Sequence, residues 1–257
     1  FEINEFADLT IEEREQLLGW RAPEGPKVYR NTPNEYKEKK IDWKSYDSKI
    51  KNQGSCGSCW AFAAAETLES GYAISSGQKI EISTQQFVDC VKGGSDGCNG
   101  GWMDDAFDYV KTHKICTEQE YKYTAKDGKC KESTCNLDLK LKGRINVEEN
   151  SIPALLEAAE KSPLSVAVDA SPMSFYRGGI LEIRTDSLNH GMVMVGYEAD
   201  APTPFAVLRN SWGERWGDNG YVKVSLEHNG GITKAASYPT FGASLSLPGL
   251  TKCKTGE

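Results

Sequence analysis

Apolar residues recur at helical spacing through the first 160 or so positions and at alternating spacing thereafter, so the chain divides into a helix-rich and a strand-rich part. Residues 9–19 (LTIEEREQLLG) predict a short helix, with Thr10 and Glu13 placed for a capping box and Gly19 as a stop. Residues 20–40 then carry Pro23, Pro26 and Pro33 among lysines, a linker composition that predicts a boundary near residues 34–38, before Ile41-Asp42-Trp43. From Cys59 to about Ser75, Ala61, Ala64, Ala65, Leu68 and Tyr72 define the face of a long helix. Ser83 and Gln86 predict a second capping box, opening a helix toward Cys90. Met103, Ala106, Phe107 and Val110 mark a third helical stripe, and Leu155, Leu156 and Ala159 a fourth that starts at Ser151. The period then changes to two: Leu164–Ala170, Met192–Tyr197, Phe205–Leu208 and Tyr221–Val224 read as strands. Helices followed by strands predict an α+β protein of two lobes with a cleft between them. Residues 242–257 show no periodicity and are expected to be loosely held.

The 257 residues are 39% apolar and 26% charged, the balance of a soluble globular protein large enough for a substantial core. No apolar run approaches the roughly 20 residues of a spanning helix, so no membrane is expected. A net charge of −7 argues against nucleic acid as a partner, because that needs clustered Lys and Arg. The chain begins with Phe1 rather than Met, which predicts that the true N-terminus lies upstream. Eight cysteines (56, 59, 90, 98, 116, 130, 135 and 253) accompany only three histidines. Their spacing forms no pair of matched zinc knuckles, so a disulfide framework in an oxidising compartment is the better reading. No Asn-x-Ser/Thr acceptor occurs.

Gln53-Gly-Ser-Cys56-Gly-Ser-Cys59-Trp60 carries the chemistry. Taken alone, its C-x-x-C could be structural, redox, metal-binding or nucleophilic. Cys59 begins the long helix, where unpaired amides and the positive end of the dipole favour thiolate over a thiol whose ordinary pKa is ~8.5. A nucleophilic thiolate also needs a proton carrier. His190, in Leu188-Asn189-His190-Gly191, lies 131 residues downstream, and Asn210, in Asn210-Ser211-Trp212-Gly213, lies 151 downstream.

C-G-[SA]-C-[WY] followed by His and Asn roughly 130–150 residues later is a known signature of papain-like peptidases. From Ile41 to Phe241 the chain resembles that family, and its cathepsin L-like members in particular. Gly97-Cys98-Asn99-Gly100-Gly101 and Trp216-Gly217-Asp218-Asn219-Gly220-Tyr221 are further family motifs. The resemblance implies a two-lobe fold, with a helical lobe over about 44–146 and an antiparallel, β-barrel-like lobe over about 147–241. It implies a cysteine endopeptidase in which Cys59 is the nucleophile, paired as thiolate with a His190 imidazolium. Asn210 would orient the ring, Trp212 would cover that contact, and the Gln53 side chain with the Cys59 amide would form the oxyanion hole. The family pattern pairs Cys56 with Cys98 and Cys90 with Cys130. It leaves Cys116 and Cys135 as an additional pair of the kind found in some protozoan members, and Cys253 unassigned. His113 and His228 fall outside every motif and are read as structural.

The same resemblance puts Gly100 and Gly101 against the substrate backbone, with Met103, Ala167, Leu188, Gly191 and Ala235 around the P2 side chain. That apolar set predicts preference for Leu, Phe or Val there. Residues 1–37 resemble the end of an inhibitory propeptide, with Asn4, Phe6 and Asp8 in its motif and Glu2 in place of the usual Gly, and residues 38–241 the peptidase domain. Removal is expected near residues 34–38 in acid. No cofactor and no metal are implied. The expected partners are peptide and protein substrates, the chain's own propeptide and cystatin-like inhibitors. The chain is expected as a monomer, in a lysosome, an acidic vacuole or secreted. Two rival readings are a catalytically silent binding module and a thiol–disulfide oxidoreductase using Cys56 and Cys59.

Overall fold

The computed structural model describes residues 6–23, 26–29 and 35–242. Glu2, Asn4, Cys253 and the C-terminal segment beyond residue 242 lie outside the described residues. Five α-helices are described: α1 (Ile11–Glu15), α2 (Cys59–Ser76), α3 (Thr84–Cys90), α4 (Met103–Thr112) and α5 (Ile152–Ala159). Eight strands accompany them: β1 (Lys40–Asp42), β2 (Leu141–Asn146), β3 (Leu164–Val168), β4 (Ile180–Ile183), β5 (His190–Glu198), β6 (Phe205–Arg209), β7 (Tyr221–Asn229) and β8 (Ala236–Phe241).

The strands form one sheet in the order β2-β8-β3-β5-β6-β7-β4, with β1 also pairing to β5. All ladders are antiparallel except β4 against β7, which is parallel. The path ends at β2 and β4, which do not pair with each other. The expected barrel-like lobe is therefore an open sheet. Its register fixes the cleft wall, because β3 sets Val168 opposite His190 and Ala167 opposite Gly191.

Helix α2 is the axis of the molecule. The sequence pattern assigned it one apolar face, yet Glu66, Thr67, Glu69 and Ser70 are buried as completely as Leu68. The difference arises because α2 packs against α3 and α4 on one side and against β3, β5 and β8 on the other. A helix enclosed on all sides has no solvent face to mark in the pattern. Its core cluster takes in Trp60, Ala64, Leu68, Phe87, Met103 and Phe107, together with Ala167, Val193 and Val195 from the sheet. A second cluster joins α5 to the strands and includes Leu155, Met192, Tyr197, Trp212 and Trp216. It also holds Phe6 and Leu17 from the N-terminal segment.

Two local predictions need correction. The capping box of the first helix forms, with Thr10 Oγ1 accepting from the Glu13 amide and Glu13 Oε2 from the Thr10 amide. That helix nevertheless ends at Gln16 rather than Gly19, because residues 17–21 are drawn out across the cleft. Ser83 caps α3 by accepting from the Gln86 amide, but the reciprocal half of the box is absent. The Ser83 amide donates to the Cys116 carbonyl, and the Gln86 side chain serves Lys114, Tyr109 and Cys116 instead.

Three disulfides link Cys56 to Cys98, Cys90 to Cys130 and Cys116 to Cys135. All three lie before β2 and staple the loops that flank α2, α3 and α4, where regular secondary structure is sparse. Among the described residues Cys59 is the one free thiol.

Candidate active site

The cleft is built where the start of α2 meets the start of β5. Gly191 follows His190 on β5 and needs to be small: a Cβ there would stand 3.3 Å from the Cys59 carbonyl oxygen, from the Trp60 Cα and from Met103 Sδ. This close approach sets the sulfur beside the strand, and the Gly191 amide donates to Cys59 Sγ at 3.4 Å. Asn210 leaves the end of β6, its amide held by the Gly220 carbonyl at 2.9 Å. Its Oδ1 is an acceptor only, so the 2.8 Å contact with His190 is an Nε2–H donation. The same oxygen accepts from the Ser211 amide at 2.8 Å. His190 Nδ1 is the ring nitrogen that Asn210 leaves available, and it is buried. Trp212 lies over the ring with centroids 4.8 Å apart and is itself backed by Trp216 at 5.2 Å.

Gln53 completes the group. It is fully buried, and its Oε1 accepts from Ser211 Oγ at 2.7 Å, which leaves the amide nitrogen as the outward-facing end. Nε2 donates to the Cys56 carbonyl at 2.8 Å and to the Leu17 carbonyl at 2.9 Å. Ser211 thus ties the Asn210 carbonyl to the Gln53 amide and holds the two sides of the cleft in register. Sequence motifs contained Ser211 without assigning it that role.

Residues 17–21 occupy the cleft. The Gly101 amide donates to the Gly19 carbonyl at 2.8 Å and the Arg21 amide to the Gly101 carbonyl at 3.0 Å. These flank a parallel bridge between Trp20 and Gly101. The Trp20 amide reaches the Asn189 carbonyl at 3.2 Å, and the Gly19 amide donates to Cys59 Sγ at 3.3 Å. Gly19 is required at the crossing point, since a Cβ would overlap the Gly57 carbonyl and stand 2.8 Å from the Gly57 Cα. Upstream, Phe6 packs on Trp212 with centroids 5.2 Å apart. A cavity of about 250 Å³ remains between Leu17, Leu18, Asn189 and Trp212.

Coverage reverses the protonation expected from the helix terminus. Burial pushes the Cys59 thiol up to about 11, outweighing the amides of Gly191, Gly19 and Trp60 that favour its anion. Burial likewise takes His190 down to about 4 against the opposing pull of Asn210 and the Leu17 carbonyl. Both shifts favour the neutral thiol and imidazole over the ion pair while the segment covers the site. The ion pair belongs to a site open to water.

Met103, Ala167 and Ala235 are buried in one cluster, with Leu188 and Trp20 packed against it. The Ala167 amide donates to the Ala235 carbonyl at 2.9 Å. Gly100 has φ +111°, turning the chain so that Gly101 faces Trp20. Cys56 is committed to its bridge with Cys98, so Cys56 and Cys59 do not form a dithiol. Cys90, Cys130 and Glu132 lie near enough to suggest a metal site, but both sulfurs are held in a disulfide. His113 stacks on Tyr109 and His228 lies beside Glu227, both remote from the cleft.

Residues 37–240 match the family model described as papain family cysteine protease. The chain is 41% identical over 250 residues to Cathepsin L 2 of Paramecium tetraurelia, covering 94% of this chain and 77% of that protein. It superposes on the recombinant stem bromelain precursor with a TM-score of 0.85 at 33% identity, over 94% of this chain and 83% of that one. Bromelain from Ananas comosus in complex with the E64 inhibitor superposes with a TM-score of 0.75 at 35% identity, over 80% of this chain and all of that one.

Proposed function

The chain belongs to the papain family and is a cysteine-type endopeptidase acting on peptide substrates; from that premise we propose that Cys59, His190, Asn210 and Gln53 perform the reaction and that residues 1–37 are the remnant of an inhibitory propeptide. The observation that carries the proposal is the joint contact of residues 17–19 with both halves of the site, the Leu17 carbonyl on the Gln53 amide and the Gly19 amide on the Cys59 sulfur. A carbonyl held by the Gln53 amide next to a nucleophilic sulfur is the geometry an acyl-transfer site offers its substrate.

When the segment leaves, water and the helix terminus stabilise the thiolate, and His190 takes the proton at Nδ1. Cys59 Sγ attacks the scissile carbonyl, whose oxygen receives the Gln53 N–H. His190 returns its proton to the leaving amine, and a water deprotonated by the same ring hydrolyses the thioester. Asn210 holds the ring throughout, and Trp212 keeps water from that contact.

The parallel bridge at Trp20 supports inhibition without cleavage. A segment paired with Gly101 in that sense presents its carbonyls in the wrong order for attack. The comparisons support the same division: the bromelain precursor aligns over more of this chain than bromelain itself does, and the family model begins at residue 37. Residues 38–241 are then the peptidase domain and 242–257 an extension.

Acid opening does not come from the catalytic pair. Covered, it holds one proton on sulfur; open, it holds one proton on imidazole, so its proton count is unchanged wherever both states keep one. Polar contacts anchor the segment along its length. They are Arg21 with Asp96 at 3.7 Å, Lys27 with Glu149, and the Lys37 and Glu38 amides on Glu160. Release of the segment is expected near residues 34–38 in acid. Incubation at pH ~4.5 with N-terminal sequencing tests this; fully active enzyme that still begins at Phe1 would refute it.

The P2 pocket is formed by Met103, Ala167, Leu188, Gly191 and Ala235, with Gly100 and Gly101 pairing the substrate backbone. Its apolar walls favour Leu, Phe or Val. A P2 library dominated by Arg would contradict this. A monomer open to cystatin-like inhibitors, in a lysosome, an acidic vacuole or outside the cell, fits the disulfide framework.

A further inference from the structure

Ser58 immediately precedes the nucleophile and is the N-cap residue of α2. A serine there normally accepts from an amide of the first helical turn. Here its side chain caps nothing, although it is fully buried. The hydroxyl contacts Tyr123 Oη at 2.6 Å instead. Tyr123 Oη in turn donates to the Gln53 backbone carbonyl at 2.7 Å. A phenol has one proton, so Ser58 must donate to Tyr123, and the order runs Ser58 Oγ–H to Tyr123 Oη–H to Gln53 C=O. The alternative acceptor for Ser58, the Cys56 carbonyl, is more distant at 3.4 Å.

Tyr123 is firmly mounted. Its ring packs edge-on to Phe62 of α2 with centroids 4.7 Å apart, and its amide donates to Glu118 at 2.9 Å. Its loop lies between Cys116 and Cys135, which are joined, and before Cys130, which is joined to Cys90.

We propose that Tyr123 is a positioning residue for the hydrolytic reaction: it locks the backbone that carries the Gln53 oxyanion donor, and it keeps the Ser58 hydroxyl from capping α2, so that the Cys59 and Trp60 amides stay free for the Cys59 sulfur and the developing oxyanion. The proposal rests on the roles assigned to Cys59 and Gln53 above. Without the phenol, Ser58 Oγ can rotate onto the Trp60 amide, and the Gln53 carbonyl loses its bond to Tyr123. Burial also pushes the Tyr123 phenol up to about 12, so it remains a neutral donor throughout the working range.

The test is a cycle of Tyr123→Phe, Ser58→Ala and the double variant, assayed after acid processing on a Phe-Arg fluorogenic peptide and with a peptide aldehyde that forms a hemithioacetal on Cys59. Tyr123→Phe should lower kcat and weaken the aldehyde by about tenfold, with KM within about twofold, because one well-placed hydrogen bond is worth that much. Ser58→Ala placed in the Tyr123→Phe background should recover part of the loss, since no hydroxyl remains to cap the helix. Tyr109→Phe, which removes a comparable phenol bonded to Glu132 and Gln86 far from the cleft, controls for stability and should leave kcat unchanged. Unaltered kcat and aldehyde affinity in Tyr123→Phe would overturn the proposal, as would a loss matched by Tyr109→Phe or no recovery in the double variant. Failure of the parent enzyme to hydrolyse the peptide would instead overturn the assignment of Cys59 and Gln53.

Discussion

Replacing Gly19 by Ala should turn the covered enzyme on without touching any group that performs the reaction. The added methyl would overlap the Gly57 carbonyl, which is backbone and cannot rotate away. The segment must therefore back out by about 1 Å or more, beyond ordinary hydrogen-bond reach. Three main-chain bonds centre on this point: Gly101 to Gly19 at 2.8 Å, Arg21 to Gly101 at 3.0 Å and Trp20 to Asn189 at 3.2 Å. The Gln53 donation to Leu17 at 2.9 Å lies two residues upstream. Each such bond contributes about 0.5–1.5 kcal/mol net, so losing two or three costs about 2–3 kcal/mol. This corresponds to roughly a 30- to 150-fold rise in the open fraction. The assay is initial hydrolysis of a Phe-Arg fluorogenic peptide at pH 7, with intact mass confirming that the chain is still whole. Thiol alkylation by a small epoxide, followed in parallel, should accelerate by the same factor. After acid processing the two proteins should be indistinguishable, because residue 19 is gone. An intact Gly19→Ala chain as silent and as slowly alkylated as its parent would refute the reasoning.

Three other outcomes follow from the same contacts. Burial raises Glu66 to about 7, since three acids (Glu66, Glu69 and Asp47) share two buried cations, Arg209 and Lys51. A raised carboxyl stabilises the fold below its ordinary range and loses that contribution as pH climbs through about 7, an effect of order 3 kcal/mol. In a Cys59→Ala background, Glu66→Gln should therefore melt with its parent at pH 5 and above it at pH 8; equal melting at both would contradict the charge count. Removing the Cys56–Cys98 bridge by the paired Ala variant should cost about 2–4 kcal/mol in denaturant unfolding, and an unchanged midpoint would show that the bridge is dispensable. Ala235→Glu should move P2 preference from Leu toward Arg in a peptide library, whereas an unchanged profile would place Ala235 outside the pocket.

What could be read from the sequence was whatever local pattern and motif spacing encode. β3 and β5 are apolar runs buried almost throughout, and β6 and β7 open with alternately buried positions, so all four mark themselves in the sequence. β1, β2, β4 and β8 are short or carry Lys, Arg and Pro, and they exist because a neighbouring strand supplies the ladder. The first helix stops early because the cleft competes for Leu17 and Gly19, a tertiary demand that its capping box cannot register. Gln53, Cys59, His190 and Asn210 all stand in motifs and all meet in one site. Tyr123 had no such marker: its role comes from a hydrogen-bond chain to residues 65 and 70 positions away. The burial that pushes the Cys59 thiol up and the His190 imidazole down was equally hidden, because the helix terminus is visible in sequence and the cover that opposes it is not.

The central claim, that Cys59 is the nucleophile of a peptidase, is most directly tested by titrating the acid-processed enzyme with a peptidyl epoxide. Residual hydrolysis of the Phe-Arg peptide and the mass of the peptide that contains Cys59 are then read at each step. One adduct per chain on Cys59, with activity falling to zero in proportion and Cys59→Ala folded but inactive, is the predicted result. Hydrolysis that persists after complete labelling, or in Cys59→Ala, would contradict it.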